Sequence, residues 1–71
     1  MAGYPEPVAN LTVPRIERNG FLCVETEVAG RMLSLRGYPS QHKDAAYELL
    51  EHRLRIAAAH EMGFPTGAYG F

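Results

Sequence analysis

Three histidines and one cysteine are the side chains that a metal or catalytic site would use first. Glu48 and His52 lie one helical turn apart, close enough to share a metal ion, but His60 lies two turns further on and is rotated away. His60-Glu61 is not followed by the second histidine of a zinc-protease motif. The spacing therefore predicts no metal site.

Cys23 does not have the surroundings that a nucleophilic cysteine needs. Glu25 is two residues along, on the same face of the expected strand, and a neighbouring carboxylate disfavours the thiolate. The sequence has no glycine-rich phosphate loop and no carboxylate pair in an apolar setting suited to acid–base work. We therefore expect no catalytic residue and no cofactor, and we interpret the chain as a protein that is not an enzyme.

His42 and Lys43 fall at the expected start of a helix, where exposed backbone N–H groups can hold an anion. Cations at this end of a helix oppose its dipole. We favour an ordinary exposed turn here, and a phosphate-binding site is the alternative.

The composition is that of one small globular domain. The chain has 71 residues, of which 46% are apolar and 21% charged, a balance typical of folded rather than disordered proteins. A single cysteine fits a reducing compartment, and no apolar run approaches the roughly 18 residues that span a bilayer, so we expect a cytoplasmic protein without membrane partners. The net charge of −1 lacks the positive excess of a non-specific nucleic-acid binder.

The segment from Leu11 to Arg36 is predicted to form three antiparallel strands joined by tight turns. Asn19-Gly20 is a strong hairpin signal. A two-residue loop there would place Ile16 on the same face as Cys23, whereas a three-residue loop that includes Arg18 would place Ile16 on the core face. We prefer the three-residue loop because it separates apolar from polar side chains better.

The second turn is expected near Gly30, and alternation then divides the strand residues between two faces. The core face is predicted to carry Leu22, Val24, Thr26, Val28, Leu33 and Leu35. The other face is mixed and open, and it is predicted to carry Phe21, Cys23, Glu25, Glu27, Met32, Ser34 and Arg36.

One long helix is predicted between Ser40, a good N-cap, and Gly63, a good residue just past a helix end. Pro65 blocks its continuation. Leu49 and Ile56 widen the apolar arc beyond what a three-stranded sheet covers. The central apolar stripe is predicted to comprise Ala46, Leu50, Leu54 and Ala57.

The predicted fold class is α+β, with a three-stranded antiparallel meander sheet packed on one long C-terminal helix (βββα) over residues 11–63. Residues 1–10 contain two prolines and little periodicity, and we expect an extended N-terminal arm. Residues 64–71 contain two glycines and are too apolar for a free linker. The aromatic residues of this C-terminal tail, which we expect to cover the helix flank or enter a partner, are Phe64, Tyr69 and Phe71.

Four short motifs follow this strand and helix order: Asn19-Gly20, Gly30-Arg31, Leu35-Arg36-Gly37-Tyr38 and Asp44-Ala45-Ala46-Tyr47. Over about 45 residues they resemble two DNA-binding families, the plant Apetala-type domain and the arm-binding domain of phage and transposon integrases. Ser40 before His42-Lys43 is similar to a helix start in double-stranded-RNA-binding domains, whose first helix is missing here. The resemblance implies DNA binding by basic and aromatic side chains on the open sheet face, where this sequence places Glu25 and Glu27.

The sequence is compatible with three functions. The leading hypothesis is a small protein-binding module, such as a phage or mobile-element regulator that docks on a larger protein or forms a homodimer. Its predicted binding residues are Leu49, Ile56, Phe21, Met32, Phe64, Tyr69 and Phe71. The alternative is a DNA- or RNA-binding domain that uses Arg15, Arg18, Arg31, Arg36, His42 and Lys43. A second alternative is a structural component of a larger assembly.

Overall fold

A computed structural model describes residues 4–64 of the chain, so the predictions for Tyr69 and Phe71 lie outside the described residues. The elements in chain order are α1 (Glu6–Ala9), β1 (Arg15–Arg18), β2 (Phe21–Val28), β3 (Arg31–Gly37) and α2 (Lys43–Glu61). The strands form one antiparallel sheet in the order β1-β2-β3, and α2 packs across β2 and β3. The predicted α+β, βββα architecture is confirmed.

Both hairpins turn through two residues. Asn19 and Gly20 have φ angles of 53° and 84°, and Ala29 and Gly30 have φ angles of 52° and 76°. Two successive positive φ values are typical of a type I′ turn, whose twist matches that of the flanking strands. The three-residue loop predicted for the first hairpin is therefore wrong.

The shorter loop changes which side chains of β1 face the helix. Ile16 lies opposite Cys23, whereas Arg15 and Glu17 lie opposite core residues of β2. Because directly opposed residues of antiparallel strands share a face, Arg15 and Glu17 point to the helix side and Ile16 points to the open face. The helix side of β1 is thus charged, and it needs charged partners from α2.

The core lies between β2, β3 and the inner side of α2. Its buried cluster consists of Leu22, Val24, Tyr47, Leu50 and Leu54, with Leu33 and Leu35 partly buried beside it. The core face predicted for β2 and β3 is therefore confirmed. The helical stripe is rotated from the prediction, because Tyr47 and Ala58 are buried while Ala46 and Ala57 are half-buried. Arg15 lies over the Tyr47 ring and helps to cover that side.

The N-terminal segment is not the extended arm that the sequence predicted. Glu6–Ala9 forms one helical turn, with Pro5 and Val8 buried. Arg55 Nη2 donates a hydrogen bond of 3.2 Å to the carbonyl oxygen of Leu11, which fixes the segment against α2. Prolines led to the wrong prediction here, although proline is compatible with the first turn of a helix, where its missing N–H has no partner.

Helix α2 begins later than predicted and ends where predicted. Ser40 is not its N-cap; α2 begins at Lys43, and the Ser40 hydroxyl accepts a hydrogen bond of 3.1 Å from the backbone N–H of His42. Gly63, at φ 86°, takes the left-handed conformation just past the helix end. The N–H groups of Gly63 and the next residue bond to carbonyls of the last turn in a Schellman motif.

Candidate binding surface

Arg15, one of the side chains predicted to contact nucleic acid, instead ties β1 to α2. Its Nε donates to Glu51 Oε2 at 2.6 Å, and its Nη1 lies 3.2 Å from Asp44 Oδ1. The hydrogen bond that Arg15 donates to Glu51 raises the pKa of the Arg15 guanidinium. The guanidinium also lies 5.2 Å from the centroid of the Tyr47 ring. The positive charge of Arg15 is therefore compensated by carboxylates of the same chain.

Lys43 and Arg31 make similar links at the two ends of α2. Lys43 Nζ donates to Glu17 Oε1 at 2.8 Å, and this hydrogen bond raises the pKa of Lys43. Arg31 Nη1 lies 3.2 Å from Glu61 Oε1. His42 is exposed in the cap position of α2. The predicted nucleic-acid residues are thus divided between the helix side, the helix start and the open face.

The open face carries an aromatic and cationic cluster at the end of β3. The Arg36 guanidinium lies 5.2 Å from the Phe21 ring centroid, and the Phe21 and Tyr38 rings are 6.2 Å apart. Arg18 Nη2 lies 3.2 Å from Glu25 Oε1. Of the two arginines on this face, Arg18 is engaged with a carboxylate and Arg36 with an aromatic ring.

The described apolar residues predicted to bind a partner lie in three places. Leu49 is 51% exposed on the flank of α2 that faces β3, and Ile56, two turns along the same flank, is half-buried. Met32 is 60% exposed on β3, while Phe21 is half-buried on the open face. Phe64 is half-buried beyond the end of α2. Leu49 and Met32 are the clearly exposed members of the set.

The predicted binding residues did not include Tyr38, although at 84% it is the most exposed large apolar side chain among residues 4–64. Tyr38 directly follows β3. With Gly37, Leu49 and Arg53 it lines a groove between the end of β3 and α2. The sequence did contain a signal for its exposure. The open-face residues of β3 are Met32, Ser34 and Arg36, and continuing this alternation by two residues places Tyr38 beside Arg36 on the same face.

The two edges of the sheet differ in their protection against a further strand. β1 has four residues, three of them charged, and Pro14 precedes it. β3 has seven residues, of which Arg31 and Arg36 are charged, and it contains no proline. Among the described residues, β3 has a neighbouring strand on one side only. Because short strands, charges and prolines are the devices that block strand addition, β3 is the less protected of the two edges.

The two-residue hairpin determines which backbone groups of β3 face outward. The pair that closes such a turn is hydrogen-bonded, so the N–H and C=O of Arg31 point toward β2. Alternate residues repeat this pattern along the strand. The residues whose N–H and C=O point to the free edge are therefore Met32, Ser34 and Arg36.

Two exposed charges beside this edge form no ion pair with another residue of the described part of the chain. Glu27 on β2 is opposite Met32 on β3, and neither Glu27 nor Arg36 forms an ion pair within residues 4–64. We use the name β3-edge surface for the free edge of β3 together with Glu27, Met32, Arg36, Tyr38 and Leu49. This surface combines open backbone groups, exposed apolar side chains and uncompensated charge.

The structure gives the surroundings of two side chains considered for a metal or catalytic site, His52 and Cys23. Within the described part of the chain, no three His, Cys, Asp or Glu side chains are grouped as a metal site would require. The Tyr4 hydroxyl hydrogen-bonds to Nδ1 of His52, and burial raises the pKa of Tyr4. Cys23 is buried. His52 is thus engaged with the N-terminal segment.

Comparison with protein families, with curated proteins and with solved structures finds no match to this chain. The resemblance to Apetala-type and integrase arm-binding domains therefore stays a prediction. Across residues 4–64, no helix has the length and apolar character needed to cross a bilayer. We therefore infer function from the physical chemistry of the β3-edge surface.

Proposed function

We propose that this protein is a small protein-binding module that receives an extended segment of another polypeptide at the β3-edge surface. The observation that carries the proposal is the seven-residue free edge of β3, which is longer and less protected than that of β1. A strand added there would bond to the outward N–H and C=O groups of Met32, Ser34 and Arg36. Main-chain hydrogen bonds supply affinity in this mode of recognition, and side-chain contacts supply specificity.

The side chains beside the edge are suited to give that specificity. Tyr38 and Leu49 are exposed on either side of the groove next to Gly37. Aromatic residues are enriched in protein interfaces because they bury a large area at a low entropic cost. Glu27 and Arg36 offer one charge of each sign, which orients a partner and excludes like-charged segments.

The distribution of charge supports a protein partner over a nucleic acid. Arg15, Arg31 and Lys43 are engaged with carboxylates of the same chain. Glu25 and Glu27 lie on the open face, where they would repel phosphates. A nucleic-acid binder needs its cations directed at the phosphate backbone, since these contacts dominate its affinity.

Affinity capture from an extract of the native host tests this function, with nuclease treatment of half of each sample. The edge-blocking variant is Ser34→Pro, because proline removes an outward N–H and obstructs an added strand while the β2–β3 hydrogen bonds remain. Ser34→Ala is the matched control, and far-ultraviolet circular dichroism confirms that each variant is folded.

The proposal expects a protein that the native chain and Ser34→Ala retain, that Ser34→Pro loses, and that nuclease does not release. Release by nuclease would indicate a nucleic-acid bridge and contradict the proposal. Equal capture by a folded Ser34→Pro variant would show that the partner binds elsewhere.

A further inference from the structure

We propose that the segment received at the β3-edge surface is β3 of a second copy, so that two chains form a symmetric dimer with one continuous six-stranded antiparallel sheet. This inference rests on the proposed function and names its partner. Three properties of the described residues support such a dimer: the register of β3 against itself, the charges of Glu27 and Arg36, and the exposed flank of α2.

β3 is complementary to itself in the antiparallel register that places Ser34 opposite Ser34 of the second copy. In this register, Met32 lies opposite Arg36 of the second copy, and the symmetry repeats the pair on the other side. Every residue of β3 whose backbone N–H and C=O point to the free edge is then opposite a residue of the second copy with the same orientation. Each opposed pair exchanges two backbone hydrogen bonds, and the contact is the same for both copies.

The helix-side residues of β3 are also compatible with this register. Leu33 lies opposite Leu35 of the second copy, which joins the partly buried edges of the two cores. Arg31 lies opposite Gly37 of the second copy, so its side chain remains free to keep its ion pair with Glu61. No like charges are directly opposed, which is the arrangement that would disfavour strand pairing.

The same register gives both unpaired charges a partner. Glu27 is opposite Met32 within the chain, and Met32 is opposite Arg36 of the second copy. Glu27 and that arginine are then two strands apart, about 10 Å between Cα atoms, a span that their side chains cross over the Met32 thioether. A shift of the register by two residues would place Arg36 opposite Gly30 or Ser34 instead. Neither shift aligns Arg36 with Glu27; opposite Ser34 it would be in line with Glu25, which already forms an ion pair with Arg18. Charge complementarity therefore selects the register centred on Ser34.

The dimer also covers the flank of α2 that the sheet leaves exposed. Both helices lie on the same face of the continuous sheet, next to each other across the symmetry axis. Because α2 packs across β2 and β3, the strand spacing places the two helix axes about 10–14 Å apart. At this spacing the flank of α2 that carries Leu49 and Ile56 in one copy faces the corresponding flank of α2 in the second copy.

Sedimentation velocity of the full chain, from micromolar to millimolar concentration, tests the dimer. Glu27→Arg and Arg36→Glu are each expected to weaken it at least about tenfold, since each places like charges together. An equimolar mixture of the two variants is expected to regain a heterodimer, because every contact between the copies again joins opposite charges. Glu48→Arg, which makes the same charge change on an exposed part of α2 away from this surface, is expected to leave the dimer unchanged.

Cross-linking of a Ser34→Cys variant tests the register. The Cα atoms of a hydrogen-bonded antiparallel pair are about 5.5 Å apart, within the range that a disulfide joins. With Cys23→Ala in the background, mild oxidation is expected to link Ser34→Cys chains efficiently and Leu33→Cys or Leu35→Cys chains poorly. Preferential linking at position 33 or 35 would overturn the proposed register.

A native chain that stays monomeric at millimolar concentration would overturn the dimer. If Ser34→Pro still abolished capture of a host protein, the proposed strand-binding function would stand with a different partner. If Ser34→Pro had no effect on capture either, both proposals would fall. The dimer would also be contradicted if the mixture of Glu27→Arg and Arg36→Glu failed to associate although thermal unfolding curves showed that both variants are folded.

Discussion

Ala29 adopts a backbone conformation that an alanine rarely takes, and this offers a prediction about stability. Its φ of 52° lies in the left-handed region, which costs an ordinary L-residue roughly 1–2 kcal/mol. Asparagine visits this region more readily because its side chain bonds to nearby backbone, and Asn-Gly is a preferred pair in type I′ turns. Ala29 is exposed, so its methyl group contributes little packing. Ala29→Asn is therefore expected to raise the free energy of unfolding by about 0.5–1 kcal/mol.

The first hairpin contains the control for this substitution. Asn19 occupies the equivalent turn position with a φ of 53°, so Asn19→Ala is expected to lower the free energy of unfolding by a similar amount. The double variant, Asn19→Ala with Ala29→Asn, is expected to resemble the native chain because the turns are separate. For a domain of this size, these changes correspond to roughly 2–8 °C in Tm, measurable by circular dichroism together with urea denaturation.

Ala29→Gly separates backbone strain from side-chain bonding. Glycine removes the strain but adds about 0.4–1 kcal/mol of unfolded-state entropy, so its stabilisation is expected to be smaller than that of Ala29→Asn. A lower Tm for Ala29→Asn, or an unchanged Tm for Asn19→Ala, would refute the reasoning, because neither result fits an unfavourable left-handed alanine.

Other predictions concern the core and the links between elements. Leu54→Ala, at a position 1% exposed, is expected to cost about 2–5 kcal/mol, whereas Leu49→Ala, at 51% exposed, is expected to change stability by less than about 0.5 kcal/mol in urea denaturation. Equal losses of stability in Leu54→Ala and Leu49→Ala would contradict the position assigned to the core. Thr26→Val removes the donor to the Thr12 carbonyl and is expected to cost about 1 kcal/mol, which a neutral effect would contradict. Arg15→Gln is expected to lower Tm more at low salt than at high salt, because salt screens exposed charges, and a salt-independent effect would argue against its ion pairs.

Local patterns were sufficient to predict the three strands, the long helix α2, and the faces of β2 and β3. Alternation of side chains predicted the faces, and the left-handed Gly63 marks the predicted end of the helix. The short α1 was missed because its helical turn depends on burial of Val8 against the rest of the fold rather than on periodicity. Local propensity does not report such tertiary contacts.

The register of β1 could not be predicted from apolar alternation alone. The preferred three-residue loop placed Ile16 inside, whereas the structure places Arg15 and Glu17 on the helix side. These two charged residues are accommodated because Glu51 and Lys43 of α2 bond to them. Pairs between elements distant in sequence have no signature in the pattern of a single strand.

The candidate surface was predicted only in part. Leu49 and Met32 were identified as exposed apolar residues, and the structure shows both exposed. Tyr38 and the free edge of β3 were not identified, because they depend on the strand order and on the absence of a neighbour among the described residues. A sequence reports side-chain character more directly than it reports which backbone groups remain unpaired.

Amide hydrogen exchange along β3, followed from micromolar to millimolar concentration, tests the central claim most directly. The outward amides of Met32, Ser34 and Arg36 are expected to exchange rapidly in the dilute chain and to become protected as the dimer forms. The amides of Leu33 and Leu35, which bond to β2, are expected to stay protected throughout. Exchange at Met32, Ser34 and Arg36 that stays equally rapid at every concentration would contradict pairing of β3 with a second copy.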